Sequence, residues 1–179
     1  MLNNMLTIYA NSISHEEIDG LILPLYEKFG QEYNMYTYEI LMDMYFRLNE
    51  FPTAMRIWNQ MQHKIRDNQA KLLEKYDPNV KELQLRLDPS QETIRPTFKA
   101  LHCYLDIGIK MLDMKQVLDA LSLFKKHKKV PKNATLKFLG NLEGVPEEIQ
   151  LSLMDFKIQF GKAKISNKPL PNIEDPQNQ

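Results

Sequence analysis

The chain has 179 residues, of which 43% are hydrophobic and 26% charged, a composition that can bury a core and that argues against wholesale disorder. Twenty-three basic side chains balance 23 acidic ones, so no overall charge draws the chain to nucleic acid or to a membrane. The single cysteine, Cys103, excludes an internal disulfide framework and suits a reducing compartment. No apolar run approaches the roughly 20 residues of a membrane span, so we expect no membrane-spanning helix.

The start of the chain contains no basic residue before Lys28. Within residues 1–27 we therefore expect neither the charged start of a secretory signal nor an Arg-rich transit peptide. The chain opens directly on a segment that reads as helix, residues 3–9, which leaves open that it is a fragment of a longer protein.

Apolar residues recur at spacings of three and four, the periodicity of amphipathic helices. One such stretch begins at Thr37 and ends at Leu48, and a second runs from Phe51 to Met61 after a break at residues 49–50. The same pairing predicts helices at residues 2–11 with about 15–30, and at about 97–112 with 115–129. Gly30 is placed to cap the end of the helix before it.

Proline positions predict the start of the last two helices. A helix over residues 133–141 follows Pro131, and a final helix begins at Pro146, where proline and acidic residues favour a first turn. The final helix has a second interpretation, because apolar residues from Ile149 to Phe160 also alternate as they do in a strand.

The region between the second and third helix pairs is unusual. The helix through Trp58 is predicted to continue past Leu73. Residues 77–78 and 88–89 are both Asp-Pro, which resembles a helix cap followed by a first-turn proline and predicts a short extra helix. Residues 166–179, rich in Pro, Asn and Gln, are predicted to be disordered.

Helix pairs in series predict an all-α protein, and more specifically an α-solenoid of stacked helix-turn-helix repeats. A single pair cannot bury its apolar face alone, so successive pairs must stack. Leu6 and Leu41, in the first helices of successive pairs, stand 35 residues apart. Several repeat families have periods near this value, so the spacing does not choose among them.

One segment, residues 35–61, closely resembles a pentatricopeptide repeat over 27 consecutive positions without a gap. The matching residues of its first helix are Thr37, Tyr38, Leu41, Met42, Tyr45 and Arg47. Those of its second helix are Ala54, Met55, Ile57, Trp58 and Met61. A partial likeness extends to residues 119–124 and 131–135, and to Asn4, Leu25 and Asn34 of a first, irregular repeat.

The resemblance implies a fold of repeats similar to pentatricopeptide and tetratricopeptide repeats, with the following organisation. Residues 1–62 form two hairpins, 63–95 an elongated helix and insertion, and 96–165 further hairpins with a basic patch and a capping helix. Within these hairpins, Trp58, Phe124 and Met61 are expected in the core rather than as platforms for bases.

Proteins of the pentatricopeptide family bind single-stranded RNA along a concave basic surface, at about one base per repeat. The resemblance assigns two reading side chains per repeat, one on the first helix and one at the end of the repeat. Carried over, the first repeat offers Asn4 and Asn34, a pair similar to pyrimidine readers in the family. The second offers Glu39, where the family usually has Asn, Thr or Ser. Lys132 and Lys137 fall near reader positions and are expected to contact phosphate.

The neutral total hides a strong asymmetry of charge. Residues 1–62 carry three basic and eight acidic side chains, whereas residues 110–137 carry eight lysines and two aspartates. The densest run contains Lys125, Lys126, Lys128 and Lys129, which indicates a surface for a polyanion. The alternative is a solvated helix end, where cations stabilise the last carbonyls and the negative end of the helix dipole.

Catalytic patterns are weak, and the chain is predicted not to be an enzyme and to need no cofactor or metal. The four histidines show no metal-ligand spacing, and the few glycines form no phosphate-binding loop. Cys103, between apolar neighbours, is expected to be a buried core residue.

The resemblance therefore predicts a non-catalytic RNA-binding protein of mitochondrial RNA metabolism, similar to fungal mitochondrial factors that stabilise, process or help to translate a transcript. Its partner would be a single-stranded organellar RNA, and its location the mitochondrial matrix. The alternative is a scaffold for protein partners, or a subunit of a ribonucleoprotein such as the mitochondrial ribosome. Glu39, the acidic first half and the inserted region favour this alternative.

Overall fold

The computed structural model of the chain describes residues 2–12, 15–75 and 95–166. All regular structure in these ranges is helical, so the prediction of an all-α protein is confirmed. The segment from Ile149 onward, which had also fitted a strand, lies in a helix. The predicted short helix near residues 77–89 lies outside the described residues, as does the predicted tail except for Ser166.

The described part of the chain contains eight helices, which we number in chain order. They are α1 (Leu2–Ser12), α2 (residues 15–28), α3 (Met35–Arg47), α4 (Phe51–Lys75), α5 (Phe98–Lys110), α6 (Met114–Lys126), α7 (Asn133–Asn141) and α8 (Glu147–Ser166). Helix α2 is interrupted by a wider π-helical turn over Ile18–Ile22. Helix α4 continues past Leu73 to Lys75, as predicted.

Packing divides the chain into two units, residues 1–129 and 130–179. In the first unit the first helix of each pair forms a row, in which α3 packs against both α1 and α5. Helix α4 packs mainly on α3, and α6 packs on α5. In the second unit α7 packs on α8.

The core of the first unit is built from the apolar stripes of these helices. Trp58 on α4 is 4% exposed and stacks on Tyr104 of α5, with ring centroids 4.3 Å apart and planes 7° from parallel. Phe124 and Met61 are completely buried. The prediction that these aromatic and methionine side chains form the core is confirmed.

The hairpins α3–α4 and α5–α6 repeat the same local design. Each first helix has 13 residues, and three residues, 48–50 and 111–113, connect it to the second helix. Each first helix ends in a Schellman motif, with a residue in the left-handed region at Asn49 (φ 60°) and at Leu112 (φ 55°). The break predicted at residues 49–50 is this motif.

The linkers between hairpins are also alike. Residues 29–34 connect α2 to α3, and residues 127–132 connect α6 to α7, six residues in each case. The second residue of each linker, Gly30 or Lys128, is left-handed and completes a Schellman motif. As a result the first residues of α5 and α7, Phe98 and Asn133, stand 35 positions apart.

Leu112 combines backbone strain with exposure, because its side chain is 69% exposed and its φ is positive. Replacing Leu112 by Gly is expected to raise the free energy of unfolding by about 0.5–1 kcal/mol, since glycine adopts this region without a steric penalty. Urea unfolding followed by circular dichroism measures the change.

Gly30 provides the matched control for the substitution at Leu112. A Cβ added at Gly30 would meet no atom within 4 Å, so Gly30→Ala tests the backbone alone. It is expected to lower the free energy of unfolding by about 1 kcal/mol. A loss of stability in Leu112→Gly would show that the exposed leucine side chain makes contacts worth more than the strain.

Candidate nucleic-acid interface

Five basic residues follow one another where α6 ends. Lys125 and Lys126 lie in the last turn of α6, His127 is its C-cap, and Lys128 and Lys129 continue into the linker. The Schellman motif fixes this path, because the Lys128 and Lys129 amides donate to the carbonyls of Lys125 and Phe124. Cations at this end also oppose the partial negative charge of the helix terminus.

The Lys129 side chain ties this helix end to the start of α5. Its Nζ donates to the Pro96 carbonyl oxygen at 2.9 Å. Burial and the nearby charge of Arg95 lower the pKa of Lys129, while the carboxylate of Glu39 on α3 opposes that shift. The structure therefore brings together two residues that were predicted separately as RNA contacts, Glu39 and Lys129.

Arg95 belongs to the same surface although it lies 30 positions before the lysine run in the sequence. The pKa of His127 is lowered by partial burial and then by the charges of Lys126, Lys129 and Arg95. At neutral pH this histidine is therefore mostly uncharged, and a bound anion would favour its protonation. We call this surface the basic cluster. It consists of Arg95, Lys125, Lys126, His127, Lys128 and Lys129.

An aromatic side chain lies beside the basic cluster. Phe98 is the first residue of α5 and is 40% exposed. Its ring meets His102 at a centroid distance of 4.7 Å and the buried Phe124 at 6.0 Å, both edge-to-face. The buried rings of His102 and Phe124 thus pack against one side of the phenyl group, and part of its remaining surface faces solvent.

Acidic residues of α3 neutralise part of the neighbouring charge. Asp43 lies 3.4 Å from Arg47 and 3.2 Å from Lys99, as carboxylate oxygen to side-chain nitrogen. These ion pairs are largely exposed and contribute little to stability. Their effect is to offset the charge of Lys99 at the start of α5, which is not part of the basic run at the end of α6.

The predicted readers of the first repeat lie near each other but in different environments. Asn4 is exposed on α1. Asn34 is the N-cap of α3, where its Oδ1 accepts from the Thr37 amide at 2.9 Å, and the Asn34 amide donates in turn to Thr37 Oγ1. This capping box starts α3 at Met35, two residues earlier than predicted.

A partly buried polar network that was not predicted surrounds this cap. Asn3 Oδ1 accepts from the hydroxyls of Tyr26 and Thr37, each at 2.7 Å, and Asn3 Nδ2 donates to Asn34 Oδ1 at 3.3 Å. The network joins α1, α2 and α3 at one junction. The pattern Asn34-x-x-Thr37 indicates the cap in the sequence, but the role of Asn3 depends on the tertiary fold.

The two asparagines should respond differently to truncation. Asn34→Ala is expected to lower the free energy of unfolding by about 1 kcal/mol, because it removes the cap of α3. Asn4→Ala, at an exposed helical position, is expected to change it by less than about 0.5 kcal/mol. Thermal or urea unfolding of both variants makes the comparison, and an unchanged Asn34→Ala would contradict the capping role.

The remaining predicted contacts, Lys132 and Lys137, belong to the second unit. Lys132 is the N-cap of α7, and Lys137 is exposed on that helix. Relative to the start of the helix, Lys132 stands where Asn34 does and Lys137 where Glu39 does, since each pair is at the same distance from the first residue of its helix.

A separate cavity of about 370 Å³ lies between α2, α3 and α4. Asp19, from the π-helical turn, accepts a hydrogen bond there from the hydroxyl of Tyr45. Burial and this carboxylate raise the pKa of Tyr45. Glu50 and Arg56 complete the polar part of the wall. Nothing in the sequence pattern marks this cavity, because its wall comes from three helices.

The thiol of Cys103 lies in surroundings that keep it unreactive. Cys103 is buried, and its pKa is raised to about 12, mainly by burial, so its thiol is protonated at neutral pH. Within the described ranges no three His, Cys, Asp or Glu side chains are grouped to hold a metal ion. None of the described helices has the length and apolar character needed to cross a bilayer.

Comparison of the chain with protein-family models, with curated proteins and with solved structures finds no match.

Proposed function

We propose that the chain is a non-catalytic α-solenoid of pentatricopeptide type that binds single-stranded RNA. The observation that carries this proposal is the basic cluster, where six basic residues gather at one end of a hairpin beside an exposed aromatic ring. Single-stranded nucleic acid is held by this combination of cations that follow the backbone and rings on which bases stack.

The repeat architecture in this proposal is supported by the two matching hairpins. They share the length of the first helix, the length of the connection and the left-handed residue that follows each first helix. The row formed by α1, α3 and α5 is the arrangement in which a solenoid stacks its repeats. The 35-residue offsets Leu6 to Leu41 and Phe98 to Asn133 agree with the period of the resembled family.

The proposed mechanism begins with electrostatic attraction. Cations of the basic cluster contact phosphates and release counterions, which supplies affinity without base choice. Asn4, the exposed reader candidate, would then contact a base directly, whereas Asn34 acts through its cap at the start of α3. The cellular role, in mitochondrial RNA metabolism, rests on the family resemblance.

Ultraviolet crosslinking of the tagged protein in intact cells, followed by sequencing of the attached RNA, tests the proposal. One or a few organellar transcripts, crosslinked at a defined stretch, are the expected result. Ribosomal RNA alone would favour a subunit of a ribonucleoprotein. Recovery of no RNA above background would overturn RNA binding in the cell.

A protein-binding scaffold is the second candidate, and the hairpin turns favour it. Leu48, Met111 and Leu112 expose apolar side chains at the equivalent turns of α3–α4 and α5–α6. Exposed apolar side chains that gather at one edge are typical of protein contacts. Such an interface would respond weakly to salt, whereas RNA affinity should fall steeply as salt rises.

A further inference from the structure

The position of Phe98 distinguishes it from the other exposed aromatic residues of the described chain. It stands at the start of α5, directly after the segment that contains Arg95 and that receives the hydrogen bond from Lys129 to Pro96. The buried His102 and Phe124 support its ring from below. A ring fixed in this way offers its exposed surface without further loss of rotamer freedom.

Neither packing in the core nor an ion pair among its neighbours explains why this ring is exposed. A phenylalanine that served only to close the end of the hairpin could be covered by the long side chains around it, yet 40% of its surface remains open. The groups around it include the cations Arg95 and Lys129, and the effect of Arg95 on the pKa of Lys129 exceeds the opposing effect of the Glu39 carboxylate. Like charges held together are unfavourable, and a further anion would stabilise them. A ligand that suits both parts must carry a flat apolar face and a nearby negative charge.

We propose that Phe98 is a stacking platform for one base of a bound single strand, with the adjoining phosphate held by Arg95 and Lys129. This inference rests on the proposed RNA-binding function and deepens it. It places a base contact at the end of the α5–α6 hairpin, away from the reader positions Asn4 and Asn34. Stacking on a phenyl ring is tolerant of sequence, so this site would bind any base.

The test separates the base from the phosphate with two probes. One is a ten-nucleotide uridine RNA, and the other is an abasic oligonucleotide of the same length that keeps the ribose-phosphate backbone. The wild-type protein is expected to bind the uridine strand about tenfold more tightly, as measured by fluorescence anisotropy at low salt. Phe98→Leu, which keeps an apolar side chain over Phe124, is expected to lose most of this preference, because only its binding of the uridine strand weakens. The remaining preference comes from the base contact proposed for Asn4.

Two further variants serve as controls for this test. Phe98→Trp retains a flat ring and should keep the preference for the uridine strand or increase it. Phe138→Leu removes a more exposed ring, 53% against 40% for Phe98, from α7 and should leave the preference unchanged. Circular dichroism of each variant shows whether the helices are intact.

The outcomes distinguish this inference from the function on which it rests. A preference for uridine that is as large in Phe98→Leu as in the wild type would overturn the stacking site, and so would equal binding of both strands by the wild type. In either case the protein would still bind RNA through contacts with the RNA phosphates. Failure of the wild type to bind either strand would overturn both proposals.

Discussion

Reversing the charge of the four lysines around the end of α6 is expected to abolish binding of single-stranded RNA. These residues are Lys125, Lys126, Lys128 and Lys129. Each phosphate contact on a single strand contributes about 0.7 to the slope of log affinity against log salt, so four contacts give a slope near −3. Their loss alone should weaken binding at least about a hundredfold near 0.1 M salt, and four carboxylates add repulsion.

A smaller, matched pair of variants controls for net charge and folding. Lys126→Glu with Lys128→Glu changes two exposed lysines of the basic cluster. Lys110→Glu with Lys115→Glu changes two exposed lysines at the opposite end of the same hairpin. Only the first pair is expected to weaken binding strongly and to lower the salt slope, by about 1.4.

Filter binding or anisotropy over a salt series measures both the affinity and the slope. Equal effects of the two pairs would mean that overall charge, rather than the basic cluster, governs attraction. Unchanged affinity in the fourfold variant, with intact helices, would remove the basic cluster from the RNA-binding surface altogether.

Truncating Trp58 to alanine is expected to lower the free energy of unfolding by about 3–5 kcal/mol. The indole is buried and stacks on Tyr104, so its removal leaves a cavity between α4 and α5 and ends an aromatic contact across two hairpins. A small domain is stable by only about 5–15 kcal/mol in total, so this variant should be close to unfolding at body temperature.

Urea unfolding followed by circular dichroism at 222 nm measures the loss, because the signal does not depend on tryptophan. Trp58→Phe keeps a ring against Tyr104 and should lose clearly less. Met111→Ala, in which the residue removed is 52% exposed at a turn, should change stability by less than about 0.5 kcal/mol. A loss as small as this in Trp58→Ala would contradict the role of the stack in holding the hairpins together.

Most of the helices were predictable because local signals agree with the tertiary structure. The helix after Pro131 begins and ends at the predicted residues, Asn133 and Asn141, since proline and the linker exclude an earlier start. The predicted break at residues 49–50 coincides with an asparagine, which adopts the left-handed conformation more easily than most residues. The predicted start of α3, Thr37, lies two residues after the observed start, Met35. The reason is that the N-cap is Asn34, which stands before the first apolar position of the pattern.

The arrangement of the candidate site was less predictable, because it depends on contacts between distant segments. The lysine run was found from its charge alone, but Arg95 and Phe98 join it only through the antiparallel packing of α5 on α6. The proximity of Glu39 to Lys129 depends on the packing of α3 against α5. Gly108, where a Cβ would come within 3.1 Å of Gln116, likewise shows its role only once the two helices are placed.

The stacked pair of Trp58 and Tyr104 also gives the protein an intrinsic optical reporter. Trp58 is the single tryptophan of the chain, so its emission comes from one known place, the contact between α4 and α5. Separation of the two hairpins would expose the indole to water and shift its emission to longer wavelength. RNA bound at the basic cluster without separating them would leave the emission wavelength where it is, so one spectrum distinguishes docking on the surface from opening of the fold.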